Sequence, residues 1–432
     1  MKTKKFLSAF FLIAFTAAAV YAQKESSSGD VKFIVTGDAY TGLKYVGNVS
    51  GTTNTDKFTY TTTGVNPVFL WQVSDKTFFE GEVEFQNRGF NAEGAWFAVG
   101  EGLEVELEFC NIGFILGKNT MLRAGTFFSS MGLFEDLYHQ RITNKMLSRP
   151  LGIGHGGLES GTEMGLNLRG VFPISDLSTL KYSIDFTNGP VLVTEAEGDF
   201  TDSVTALKAI KAAGGQLEYE LITDKRIPKA FGGRIGFMPS AQSGLEIGAS
   251  FKTAIVGARY TNDSAIGSTY IGGDFSYVKD IEEIKGTLTF RSQYAGLTVD
   301  KADYSYSWTT TDTAGTHNHT AKTTFDNKSS AYYLQLSYRP TMAHGKVLKK
   351  MELTGRLCSQ TIPDGTRWAS DPPSSRTYGN KSQFGITLSY WVTWNAVVKL
   401  AYEQNTYQDY KKNADGTSNA APGYFLQMAM GF

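Results

Sequence analysis

A chain of 432 residues with 41 basic and 42 acidic side chains carries a formal charge of −1, which excludes nucleic-acid binding through bulk charge. Two cysteines exclude a disulfide framework. Abundant Gly (46), Phe (29) and Tyr (22), few Pro (11) and a mean hydropathy of −0.22 suit a chain of half-apolar strands.

Residues 1–22 read as a secretory signal. Lys2, Lys4 and Lys5 form its charged start, 6–20 its apolar stretch, and Val20-Tyr21-Ala22 a small-residue cleavage site. Gln23 then begins the mature chain, whose formal charge falls by the three leader lysines to −4. No later apolar run is long enough for a helical span. No break in composition marks a linker, so 23–432 read as one unit.

Sixteen strand candidates follow, near 31–45, 66–73, 77–87, 102–110, 120–128, 162–173, 179–187, 231–239, 244–253, 269–278, 283–294, 331–340, 349–360, 382–391, 396–407 and 423–432. Their mark is period-two alternation, which gives a strand one apolar and one polar face. On the third, Phe79, Gly81, Val83 and Phe85 alternate with Glu80, Glu82, Glu84 and Gln86; on the fourth, Leu103, Val105, Leu107 and Phe109 alternate with Glu104, Glu106 and Glu108. The second is poorer, because Val68 and Leu70 fall on the polar side. Links alternate long and short along the whole chain. Long links are about 46–65, 88–101, 129–161, 188–230, 254–268, 295–330, 361–381 and 408–422, with a short helix expected over 204–213.

A soluble sandwich has no reason to put every long link on one side. The pattern predicts an all-β fold: a transmembrane, antiparallel, up-and-down β-barrel of about sixteen strands, with eighteen as the alternative. Ring closure removes the sheet edges that lipid would not tolerate. Short turns and both termini would then face the periplasm, and the long loops the outside. The last stretch places Tyr424, Leu426, Met428, Met430 and Phe432 on one face and stops on an aromatic. This resembles the C-terminal signal by which bacterial outer-membrane barrels engage the barrel-assembly machinery.

The segment Leu122-Arg123-Ala124-Gly125-Thr126-Phe127-Phe128 runs on through Ser130-Met131-Gly132, Asn144-Lys145, Arg149-Pro150 and His155-Gly156-Gly157. It resembles the Bacteroidetes-type outer-membrane porins related to the phosphate-selective porins, with Ser130-Met131-Gly132 standing where that family has a Pro-containing turn. The resemblance covers about 50 residues. It implies a passive pore in a Gram-negative outer membrane for small hydrophilic solutes, anions such as phosphate among them. It also implies that the third long loop folds inward, so that Glu135, Asp136, Arg141, Lys145 and Arg149 form a constriction. A homotrimer is the assembly expected by analogy with general porins.

Lumen parity carries Glu80, Glu82, Glu84, Glu104, Glu106 and Glu108 on strands three and four, then Arg123, Arg169 and Arg234, and Lys285, Arg291, Arg339 and Arg356 on strands eleven to thirteen. In a sixteen-strand ring these last strands lie opposite the acidic wall, so two walls of opposite charge are expected to face each other, unless pairs such as Glu352 with Arg356 form locally. The lumen is expected to be polar throughout. Among the five histidines, His139 and His155 sit in the third long link, but no nucleophile motif accompanies them. His317 and His319 are too few for a metal site. Catalysis, cofactors and metals are therefore not expected. The competing function is a surface adhesin or structural barrel acting through its long loops.

Overall fold

The computed structural model describes residues 32–46, 57–60, 63–87, 103–155, 157–194, 199–213, 217–219, 229–257, 265–324, 327–362, 380–407 and 420–432. The expected signal segment, 1–22, and parts of several long links lie outside the described residues.

Sixteen strands close an antiparallel barrel. They are β1 (Lys32–Val46), β2 (Thr63–Ser74), β3 (Thr77–Asn87), β4 (Leu103–Ile115), β5 (Thr120–Phe128), β6 (Thr162–Pro173), β7 (Thr179–Asn188) and β8 (Lys229–Met238), followed by β9 (Leu245–Ile255), β10 (Gly267–Ile281), β11 (Gly286–Val299), β12 (Lys328–Arg339), β13 (Met351–Thr361), β14 (Lys381–Thr393), β15 (Ala396–Tyr407) and β16 (Ala420–Gly431). All sixteen expected strands are present. Each pairs with its neighbour in sequence, and β16 pairs with β1 from Gly431 opposite Asp38 to Gly423 opposite Val46. A four-residue segment, Lys57–Tyr60, continues the pairing at the far end of β1. The short turns all lie on the rim that holds the start of β1 and the end of β16. At that seam Gly37 and Phe432 exchange backbone hydrogen bonds of 3.1 and 3.0 Å.

Alternation sorts the side chains as a lipid-facing barrel requires. Leu107, Leu166, Leu336 and Leu388 are exposed on the outer face, whereas Ser183, Asp185, Gln335, Thr354 and Thr387 are buried on the inner one. Three register shifts interrupt the ladders among the described residues, two at strand ends by Ser74 and Thr393 and one a mid-strand β-bulge between β3 and β4. Val83 stands opposite Leu107 and Glu82 opposite Phe109, so Glu108 is an extra residue in β4. The extra residue reverses parity beyond it. The expectation that Phe109 faces lipid is thereby corrected: Phe109 turns inward and packs with Val68 and Phe128.

Two further expectations change. Lys285 is not on the pore wall; it is exposed in the tight turn between β10 and β11, at a left-handed φ of 51°. The lumen is not polar throughout. Toward the long-loop rim, Ala254, Tyr270, Leu297 and Tyr333 on β9–β12 form an apolar inner surface. Toward the short-turn rim, Ile34 and Leu70 share lumen parity.

Above the long-loop rim, α1 (Ser203–Ala213) occupies the expected helical stretch, its first turn capped by Asp202, which accepts from the amides of Val204 and Thr205 at 2.9 Å each. Residues 304–323, expected as loop, form a hairpin of Tyr304–Asp312 and Gly315–Thr323. Its His317 and His319 each have a partner on the hairpin, Asp312 and Thr310 respectively. Cys110 on β4 and Cys358 on β13 are free thiols.

Candidate channel constriction

Residues 129–161 leave β5 and turn into the barrel. The root is fixed where Ser129 donates its amide to Gly161 O at 3.0 Å and its hydroxyl to Glu163 at 2.7 Å. Two glycines allow the path. Gly132 (φ 87°) and Gly154 (φ 79°) take left-handed conformations, and a Cβ on them would run into the side chains of Gln293 and Glu135 respectively.

The first part of the loop lies on β9–β11. Gly132 N donates to Ser250 Oγ at 3.1 Å, and Gln293 Oε1 accepts from Phe134 N at 3.3 Å. Met131, Phe134, Ile153 and Leu158 cover the apolar surface of β9–β12. Each such buried side chain stabilises the attachment by about 1.5–3 kcal/mol. Glu159 is buried among three donors: Tyr270 Oη (3.0 Å), Gly154 N (3.0 Å) and Gln293 Nε2 (3.2 Å). Burial nevertheless dominates and pushes its carboxyl up to about 8.

A single π-helical turn, Phe134–Tyr138, carries the loop toward the barrel axis. Asp136 accepts both guanidinium nitrogens of Arg169, at 3.1 and 2.6 Å. Burial pushes the Asp136 carboxyl up, but this bidentate pair outweighs it and holds it below the ordinary carboxylate range. The Arg291 guanidinium lies 3.4 Å from the centroid of the Tyr138 ring. His139 Nδ1 donates to Glu135 O (2.6 Å), and its Nε2 faces Glu82 at 3.8 Å.

The loop then reaches the far side. Arg141 N donates to Asp38 Oδ2 on β1 at 2.8 Å, and its guanidinium covers Tyr40. Lys399 Nζ on β15 donates to Arg141 O and Asn144 O, each at 2.5 Å. Lys145 pairs with Glu352 on β13. Burial pulls the Lys145 ammonium below its ordinary range, and Glu352 works against that shift. Arg356 donates to Ser148 O (2.9 Å), Ser148 Oγ (2.5 Å) and Arg149 O (3.2 Å). Arg149 itself returns to Glu135 at 2.7 Å. The five expected loop residues are thus all brought inside the barrel, and the loop bridges it from β6 to β13–β15 and β1.

This changes the expected electrostatics. The basic strands do not face the acidic wall across open water, because the loop stands between them and takes up Arg291 and Arg356. Glu352 pairs with the loop, not with Arg356. Arg234 is held by Asp274 (2.6 Å) and Glu246 (2.9 Å) on neighbouring strands. Arg339 lies at the short-turn rim over Trp391. On the other wall, Glu84 and Glu106 are directly opposed, and the bulge adds Glu108. Their carboxylate oxygens come within 4.8 Å of one another. Glu80, lower on β3, binds Arg123 at 3.1 Å. Glu82 and Glu104 are buried in the same wall. The positions that sequence reasoning missed are Asp38, Lys399 and Glu403, each an ordinary lumen-parity charge whose loop partner lies more than 100 positions away.

No family model matches the sequence, and no curated protein sequence matches it. Solved structures match in fold. The outer-membrane channel DcaP of Acinetobacter baumannii is 15% identical, the match covering 94% of this chain and 99% of that one, with a TM-score of 0.54. OmpF of Salmonella typhi, solved with daunomycin, is 12% identical over 95% of this chain and 100% of that one, with a TM-score of 0.50. The anion-selective porin of Comamonas acidovorans is 11% identical over 93% and 100%, with a TM-score of 0.50. At such identities the likeness is one of fold, that of a closed outer-membrane channel barrel.

Proposed function

We propose that this chain is an outer-membrane porin, a passive channel for small hydrophilic solutes, exported through its N-terminal signal. The observation that carries the reading is the inward loop in a sixteen-strand ring. Rings of sixteen to eighteen strands are wide enough for an aqueous channel, whereas eight strands are filled by side chains. A loop tied to six or more strands narrows such a ring. Because the loop covers β9–β13, the water path runs past the acidic wall of β3 and β4. Glu106, Glu108, Arg141 and Arg149, all half-buried, border it. The resemblance of 122–157 to porins related to the phosphate-selective ones supports small anions, inorganic phosphate included, among the solutes.

An adhesin reading draws on one observation, the external hairpin, where Trp308 stacks on His319 with ring centroids 5.1 Å apart. Single-channel recording in a planar bilayer separates the two. Stepwise, ohmic conductance is expected of the porin; a purified, folded barrel without conductance steps would reject it.

A further inference from the structure

The lumen face of β1–β5 near the short-turn rim does not suit a water-filled pore. Ile34, Leu70, Phe78 and Met121 all take lumen parity there. Phe78 stands opposite Gly113, and its ring occupies the space a Cβ on Gly113 would need. Ile34 is 52% exposed although it points into the barrel. Apolar surface left in water costs about 25 cal/mol per Å², so four adjacent apolar side chains are a standing liability unless something covers them.

The same patch carries a cationic border. Lys32, Arg123 and Arg169 line the cavity with it, an open cleft of about 500 Å³. Small-molecule pockets typically measure about 300–1,000 Å³. Arg123 is held in place before any ligand arrives. Its Nε donates to Asn167 Oδ1 at 3.0 Å and its Nη1 to Glu80 Oε1 at 3.1 Å. Its Nη2 has no acceptor among the described residues, although the residue is only 7% exposed. Arg169 is likewise fixed, by Asp136 of the constriction loop. Setting Glu80 and Asp136 against the three cations leaves one positive charge over.

We propose that this cavity is a binding station for small amphipathic organic anions. The carboxylate sits against Arg123 and Arg169, and the apolar body lies along Ile34, Leu70, Phe78 and Met121. The station rests on the porin reading only for how the solute arrives and leaves. Its position under the loop means that a solute passing the constriction meets it next. Binding strong enough to enter and weak enough to leave speeds passage of the preferred solute.

The test uses the folded barrel in lipid nanodiscs, with hexanoate, acetate and hexanamide as probes in titration calorimetry, and potassium chloride conductance measured separately. Hexanoate should bind at least about tenfold more tightly than acetate, since each buried CH₂ contributes about 0.8 kcal/mol. It should also bind at least about tenfold more tightly than the neutral hexanamide. Arg123→Gln and Leu70→Asn should each weaken hexanoate about tenfold; circular dichroism checks that both variants fold. Equal binding of acetate and hexanoate would remove the apolar wall from the idea, and equal binding of hexanamide would remove the arginines; either result overturns the proposal. Hexanoate binding unaltered in both variants does the same. Chloride conductance without hexanoate binding rejects the station and keeps the pore, whereas hexanoate binding without conductance rejects the pore and keeps the station.

Discussion

The Lys145 ammonium sits against the Glu352 carboxylate, on the wall opposite the strand from which its loop departs. Trp391 Nε1 donates to the other oxygen of Glu352 at 2.9 Å, so the carboxylate is buried between two donors. Removing one partner of such a pair strands the other charge. Lys145→Met is expected to destabilise the loop's attachment by about 1–3 kcal/mol. Gating events in single-channel records should become more frequent, and adding Glu352→Gln should restore part of the quiet baseline. Additive effects in the double mutant would mean that the pair does not hold the loop.

Deleting 135–148 removes the ties to Asp38, Lys399 and Glu352 together. Single-channel conductance should rise, because the freed wall charges are rehydrated in a wider water column. An unchanged conductance would place the narrowest point elsewhere.

The trio Glu84, Glu106 and Glu108 should set ion preference. Changing all three to Gln is expected to shift the reversal potential in a salt gradient away from cations. The shift should shrink between 0.1 M and 1 M salt, as the Debye length falls from about 10 Å to about 3 Å. A reversal potential indifferent to the substitution at low salt would remove the acidic wall from the conduction path.

Glu159 gives the loop a pH dependence whose sign follows from its surroundings. Burial raises the carboxyl from its ordinary 4.5 to about 8 in the folded protein. The folded state therefore keeps a proton that a released, hydrated loop gives up. That contribution to attachment is fully present below about 4.5 and is lost as pH rises through about 8. Beyond the intrinsic base catalysis of amide exchange, hydrogen exchange in 129–161 should quicken between pH 6 and pH 9, and Glu159→Gln should flatten that excess. Quickening of equal size in the Gln variant would assign it to another group.

The outer face has its own test. Leu336→Arg should cost about 2–4 kcal/mol if it lies at mid-membrane depth. Thr287→Arg, of opposite parity at the lumen rim, should fold as well as the parent. Equal loss in urea-titrated refolding would contradict the face assignment.

The strands were legible because alternation is a local property, and most of the sixteen carry it, the second least cleanly, with Val68 and Leu70 on its polar side. The bulge was not. Glu106-Leu107-Glu108-Phe109 alternates perfectly as a string, and only the count of residues on β3 against β4 reveals the extra one. The hairpin over 304–323 could have been found, since Tyr304, Tyr306 and Trp308 alternate with Ser305 and Ser307 ahead of a Thr313-Ala314 turn followed by Gly315. The five loop residues were picked out by resemblance, and their contacts place them inside the barrel. Which wall groups the loop meets was beyond sequence reasoning, because Lys399 and Glu403 are separated from it by more than 250 positions.

That separation has a consequence for how the molecule is made. The loop is synthesised before β6, and the strands that grip its far end come last. Lys399 and Arg356 find acceptors on a loop more than 200 positions earlier, so a ring closed without that loop inside would deprive two buried cations of those acceptors.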